Sequence, residues 1–149
     1  MNKWNGAHAA VANAKAAIHL TALIDRHTTP EDLTVFRGMS VDGVNQAAFQ
    51  QRFGSLQVGD VVVDKGFLST TLDRTVATKF SKKASGGTDF EGFAAAKKHE
   101  GVVFEIRAAK GTHCYYSGNN VREMNFRPGT KLKLVERKTP GKFVFEVVQ

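Results

Sequence analysis

The sequence predicts an α+β domain, with helices at the N-terminal side and a mainly antiparallel array of strands behind them. Three observations predict it. Helical apolar periodicity is confined to the N-terminal stretch and to short later segments. From Gly101 onward the chain turns to short strand-like runs, broken at Gly111, Gly118, Gly129 and Pro140-Gly141. At 149 residues, 42% hydrophobic and 23% charged, it fits one globular domain spanning 1–149 with a core of its own. Helices first and strands after them make the class segregated α+β.

Residues 5–27 are expected to form one long helix or two short ones, with alanines, Val11, Ile18, Leu20 and Leu23 as the apolar stripe. Pro30 in HTTPED disfavours a helical residue before it and ends that segment. LTVFRG (33–38) alternates and is rich in strand formers, so it is expected as a strand closing at Gly38. VNQAAFQQRF (44–53) has helical character, with Asp42 as its start signal. VGDVVVDKGFLSTT gives a short strand, a turn at Asp64 to Gly66, and a second strand. That second strand passes from Phe67 and Leu68 directly into three hydroxyls, Ser69-Thr70-Thr71. Asp73 then fits a helix N-cap, with Leu72, Val76 and Phe80 at helical spacing up to Lys83. KKASGGTDFEGF is a Gly/Ser loop, with a helical turn through FEGFAAAKKH. GVVFEIRA, THCYY, REMNF, TKLKLVER and KFVFEVV supply the remaining strands.

The chain carries 21 Lys and Arg against 14 Asp and Glu, a net +7. That balance favours nucleic acid, a phosphorylated ligand or an acidic protein face, and a merely soluble basic surface explains it equally well. The five histidines and Cys114 lack metal-ligand spacing, so no metal site is expected. Cys114, the only cysteine, cannot form an internal disulfide and reads as a small buried residue rather than a nucleophile. GxxxxGK[ST], GxGxxG and GxSxG are all absent, which removes the usual markers of nucleotide hydrolysis, dinucleotide redox chemistry and acyl transfer. The Ala-rich N-terminus is interrupted by Lys3, His8, Lys15 and His19, so it lacks the apolar run of a signal peptide or membrane span. No membrane partner is expected, and the chain reads as cytosolic or as a piece of a longer exported one.

Strand parity sharpens what remains. In NNVREMNF, Arg122, Met124 and Phe126 share one face while Val121, Glu123 and Asn125 share the other. Met124 and Phe126 are therefore expected in the core, with Glu123 facing away from it. Arg37 closes its strand on the side of Leu33 and Val35, and Ser69 shares a face with Phe67 and Thr71. Three strand ends thus carry a cation, a hydroxyl and a carboxylate in the order Arg37, Ser69, Glu123. Each alone has an ordinary explanation, such as an Arg stem laid over apolar surface. A different reading rests on Lys131, Lys133 and Arg137, which alternate with Leu132, Leu134 and Glu136. They make a basic strand face suited to a non-catalytic nucleic-acid-binding module.

The combination resembles the ADP-ribosyltransferases of the Arg-Ser-Glu class, a group rich in bacterial toxins. VFRG is similar to the first motif of that family, an aromatic followed by Arg-Gly at a strand end. GFLSTTLDRTVATKF resembles its second, and GVVFEIRAAKGTHCYY with REMNFRPGTKLKLVE its third. The blocks stand in the family's order from about Leu33 to Glu136. The resemblance implies two packed, mainly antiparallel sheets. It also implies NAD⁺ as a consumed substrate, with no bound cofactor, and a macromolecular acceptor, a protein ahead of a nucleic acid.

Arg37, Ser69 and Glu123 would be the catalytic set. Arg37, Gly38, Ser69, Thr70, Thr71 and Phe80 would face NAD⁺, with a core position for Phe80 as the plainer alternative. Tyr115, Tyr116 and Val121 fall in the target-recognition segment. Family members that modify arginine have Glu at the position of Val121, and those that modify asparagine or glutamine often have Gln. Valine neither accepts a proton nor bonds an amide, so the acceptor is not legible, and an NAD⁺ glycohydrolase using the same pocket is the neighbouring alternative. A toxin of this kind would act in a target-cell cytoplasm, arrive as part of a longer or secreted chain, and have a neutralising immunity protein.

Overall fold

The computed structural model describes residues 3–40, 49, 51–64, 66–81, 101–118, 120, 122–138 and 142–148. Its elements are α1 (Lys3–Arg26), β1 (Leu33–Ser40), β2 (Val61–Asp64), β3 (Leu68–Thr71), α2 (Arg74–Ser81), β4 (Gly101–Ala108), β5 (Cys114–Tyr116), β6 (Glu123–Phe126), β7 (Thr130–Lys138) and β8 (Lys142–Val148). Of the helix expected over 44–53, Phe49 and residues 51–53 are helical; the rest lies outside the described residues, as do the expected loop and helical turn within 82–100. No described helix is long and apolar enough to cross a membrane.

The strands run in the order β2-β7-β8-β4-β1-β3-β6-β5. Neighbours are antiparallel except β4 and β8, which are parallel. Eight registered pairs join β1 to β4, whereas β1 and β3 meet in register at Phe36 and Thr71 alone. The hydrogen-bonded order is therefore continuous but narrows to a seam there, between a five-stranded part ending in β1 and a three-stranded part, β3-β6-β5. Mainly antiparallel α+β architecture matches the expectation.

Alternation decides which face is the core. Val35, Val102, Phe104, Ile106, Leu132, Leu134, Phe143 and Phe145 are buried on one face. Phe104 packs edge-on against Phe53, Phe143 and Phe145 at 4.9–5.5 Å between ring centroids. Offset and T-shaped ring pairs of this kind add about 0.5–1.5 kcal/mol each beyond the area they bury. Met124 and Phe126 are buried, as their parity predicts. Cys114 is 3% exposed, and burial pushes its thiol up from the usual range. A thiol reagent at pH 8 is therefore expected to label the native protein at least ~10-fold more slowly than the urea-unfolded chain. Equal rates in the two states would contradict this burial.

Three expectations are corrected. Ile18 is 72% exposed, whereas Ile24, outside the expected stripe, is buried at 0%. The C-terminal end of α1 reaches the sheet, where the ring of His113 lies 3.3 Å from Ile24 O and His27, just past the helix, meets Tyr115 edge-on at 5.3 Å. Further along, α2 begins at Arg74, after Leu72, and buries Ala77 and Ser81 rather than Val76 and Phe80. The reason is the surface beneath it. A Cβ on Gly38 would stand 1.7 Å from Ala77 O, and one on Gly101 would stand 1.9 Å from Ser81 O. The helix backbone lies so close to these strands that only small residues fit between them.

The third correction concerns the basic strand face. A β-bulge between Leu134 and Glu136 inserts Val135 without a partner on β8. Parity flips there, so Arg137 leaves the face of Lys131 and Lys133 and sits opposite Phe143. Its guanidinium lies 4.9 Å from the Phe143 ring centroid and donates to Leu56 O at 3.0 Å. Arg137 therefore does not share a face with Lys131 and Lys133, as the expected nucleic-acid face required.

Candidate active site

The seam between β1 and β3 opens into a cleft of about 220 Å³ lined by Phe36, Arg37, Gly38, Ser69, Thr70, Thr71, Ala77, Phe80 and Glu123. Strand register explains how residues so far apart in sequence meet. Thr71 stands opposite both Phe36 of β1 and Glu123 of β6, and Ser69 stands opposite Asn125. Cross-strand partners share a face, so Phe36, Ser69, Thr71, Glu123 and Asn125 all look away from the core. Helix α2 lies over this face and brings Ala77 and Phe80 to the cleft. Phe80 lines it and is 41% exposed, so the core placement expected as its plainer alternative does not hold.

Arg37 approaches from the other parity. It sits opposite Phe104, half-buried at the end of the apolar face, and its Nη1 donates to Ser69 O at 3.1 Å. That bond crosses the seam where the ladder narrows, tying the cation to the hydroxyl strand. Thr70 points to the core side. Its hydroxyl donates to Met124 O at 2.9 Å, so its reach is spent on holding β3 to β6. Thr71 Oγ1 accepts from Asp73 N at 3.0 Å, and Asp73 Oδ1 accepts from Thr75 N at 2.9 Å. The predicted N-cap is thus in place, and it is linked to the hydroxyl strand by one bond.

Glu123 begins β6, directly after Arg122, whose φ is +51°. Arg122 O accepts from Leu72 N at 3.1 Å, and Glu123 O accepts from Ser117 N at 3.0 Å, so the turn is held from two sides. A positive φ in a residue with a Cβ is strained by roughly 1 kcal/mol, and it sets the direction in which Glu123 leaves the turn. Asn125 Nδ2 donates to Glu123 Oε1 at 2.8 Å. Behind Phe36 lies a second charged group. Glu105, 9% exposed, accepts from Arg74 Nη2 at 2.8 Å, with Lys142 Nζ at 3.5 Å and Arg107 Nη2 at 3.7 Å. Arg74 also covers the Phe36 ring at 4.9 Å.

The structure therefore brings Arg37, Gly38, Ser69, Thr70, Thr71, Phe80 and Glu123 to one cleft. Gly38 serves there as the flat floor under α2. Tyr115 is half-buried on β5 opposite Asn125, and Tyr116 is exposed opposite Met124. Neither tyrosine lines the cleft. Val121 lies outside the described residues. Sequence reasoning missed Asn125 and the Arg74–Glu105 pair as parts of this region, and marked Phe36 only as the aromatic of VFRG. Parity alone could have flagged Asn125, two residues past Glu123 on its face. Among the described residues no cluster of three His, Cys, Asp or Glu could hold a metal ion.

No protein-family profile and no curated protein matches the chain. Solved structures do. The Vis toxin of Vibrio splendidus, an ADP-ribosyltransferase, superposes with a TM-score of 0.64 at 20% identity, covering 94% of this chain and 60% of that one. C3larvin of Paenibacillus larvae, also an ADP-ribosyltransferase toxin, gives 0.57 at 18% identity, covering 93% and 78%. The Clostridium limosum C3 exoenzyme gives 0.57 at 15%, covering 91% and 68%. The chain spans 50–60% of the length of the Vis chains it matches. With its seam, its cleft and this shared strand framework, the chain has the ADP-ribosyltransferase fold of the bacterial toxins.

Proposed function

We propose that this domain transfers ADP-ribose from NAD⁺ to a macromolecule, a protein ahead of a nucleic acid. The observation that carries the reading is the meeting of Arg37, Ser69 and Glu123 at one cleft in this fold. In the reaction the bond between nicotinamide nitrogen and ribose C1′ breaks. The electron pair leaves with nicotinamide, and positive charge grows on the ribose. The acceptor then attacks C1′ and gives up a proton. No redox partner enters the balance, and NAD⁺ is consumed rather than held.

Each residue type suits its part. The guanidinium of Arg37 is a planar fork of donors matched to the diphosphate. The Glu123 carboxylate faces the developing ribose cation. Phe36 and Phe80 offer apolar ring surface to the nicotinamide. Ser69 and Thr71 supply hydroxyls on the Glu123 face, while Thr70 holds β3 against β6. A cleft of 220 Å³ is small beside the ~300–1,000 Å³ usual for ligand sites. A cleft of this size would enclose only part of the dinucleotide. Delivery into a target-cell cytoplasm from a longer or secreted chain, and a neutralising immunity protein, complete the reading as a toxin or effector domain.

The test is nicotinamide release from NAD⁺ labelled in its adenylate half, with and without a cell lysate. Release that rises with lysate, with label moving onto one macromolecule, is expected. Release that ignores lysate and yields free ADP-ribose would make the domain a glycohydrolase. Arg37→Ala is expected to raise KM for NAD⁺ by roughly tenfold or more, with a smaller change in kcat, because diphosphate binding is made before and in the transition state alike. An unchanged KM in initial-rate measurements would remove Arg37 from the NAD⁺ site.

A further inference from the structure

We propose that Asn125 is a positioning residue that fixes the carboxylate of Glu123, an inference that rests on the catalytic reading of Glu123 given above. Its Nδ2 donates to Glu123 Oε1 at 2.8 Å. The two residues are separated by Met124 on β6, so both side chains leave the same face of the strand. Asn125 itself is 6% exposed and stands in register between Ser69 on β3 and Tyr115 on β5. A side chain so enclosed has little freedom to turn its amide elsewhere.

The chemistry fixes the direction of the bond. An ionised carboxylate only accepts, so the amide must offer its NH₂ and not its carbonyl, which would set two acceptors against each other. A charge-assisted bond from a buried neighbour does two things for an anion expected to face a ribose cation. It holds one carboxylate oxygen in place before substrate arrives, and it occupies an acceptor that would otherwise turn towards solvent. Preorganised charge of this kind acts in the transition state without reorganisation when the reaction occurs. Neither sequence motif nor composition marks Asn125; the register of β3, β6 and β5 does.

The experiment compares steady-state nicotinamide release by the wild type, Asn125→Ala, Asn125→Asp and Glu123→Gln across pH 5–9. Asn125→Ala is expected to lower kcat by roughly tenfold or more, the loss expected for one hydrogen bond to a charged group, with KM for NAD⁺ held within about twofold. Asn125→Asp keeps the shape but sets a second carboxylate beside Glu123. The pair then shares a proton, so the acidic limb of the kcat profile is expected to move up by about one pH unit or more. Should Asn125→Ala melt early, the isosteric Asn125→Asp decides alone.

Wild-type kcat in Asn125→Ala, or an unshifted acidic limb in Asn125→Asp, overturns the proposal while an inactive Glu123→Gln leaves the catalytic reading standing. A Glu123→Gln variant as active as the wild type, or a wild type that releases no nicotinamide, brings down both.

Discussion

Glu123→Gln is expected to cut nicotinamide release from NAD⁺ by ~100-fold or more while leaving the fold intact. The substitution changes one thing, the charge. Glutamine has nearly the shape of glutamate, and its carbonyl oxygen can still accept the amide of Asn125, which lies 2.8 Å from Glu123 Oε1. The backbone anchors of the turn, Arg122 O to Leu72 N and Glu123 O to Ser117 N, do not involve the side chain. A carboxylate about 4 Å from a ribose cation at an effective dielectric near 20 is worth about 4 kcal/mol. If that attraction is felt mainly in the transition state, it amounts to about a thousandfold in rate. Some of it survives in the dipole of the amide, so a loss of ~100-fold is the lower bound. Initial rates decide the activity, and a thermal melt within a few degrees of the wild type decides the fold. Undiminished release by a folded Glu123→Gln would mean that the cleft at the seam is not where NAD⁺ is cleaved.

The parts of this picture that were legible in the sequence are those carried by local alternation and punctuation. GVVFEIRA coincides with β4, because a period-two run bounded by glycine leaves little room for error. The hydroxyl strand, the Asp73 cap and the core-facing pair Met124 and Phe126 were legible for the same reason. What alternation does not carry is the identity of the neighbour. The narrow β1–β3 seam and the parallel β4–β8 pairing are long-range facts. Helical spacing pointed to Val76 and Phe80 as the packed side of α2, yet the helix buries Ala77 and Ser81, since the surface beneath it is glycine. Arg137 changed faces because a bulge adds one residue and reverses parity with no signal in composition. Asn125 looked like any polar residue on a solvated face until the register enclosed it between two neighbouring strands.

Gly38→Ala is expected to be among the most destabilising single substitutions in the chain, at about 3 kcal/mol or more, and to weaken the cleft with it. The added Cβ would lie 1.7 Å from Ala77 O, 2.7 Å from Ala77 C and 2.8 Å from Ser81 N. All three are backbone atoms, so no side-chain rotation relieves the overlap, and α2 must lift off β1. Gly101 makes the same demand from β4, where a Cβ would lie 1.9 Å from Ser81 O. Ser40 pairs with Gly101 and Gly38 with Val103, so the two glycines lie two residues apart along the ladder and form one track for the helix. Lifting α2 displaces Ala77 and Phe80 from the cleft, so activity should fall together with stability. Gly59→Ala is the control: its φ of +100° strains an alanine by about 1 kcal/mol, but nothing lies within 4 Å of the new Cβ. Urea unfolding of the two variants should separate them by about 2 kcal/mol at similar m-values. If Gly38→Ala unfolds with the wild-type midpoint, α2 does not press on β1 in solution, and the packing that shapes the cleft must be redrawn.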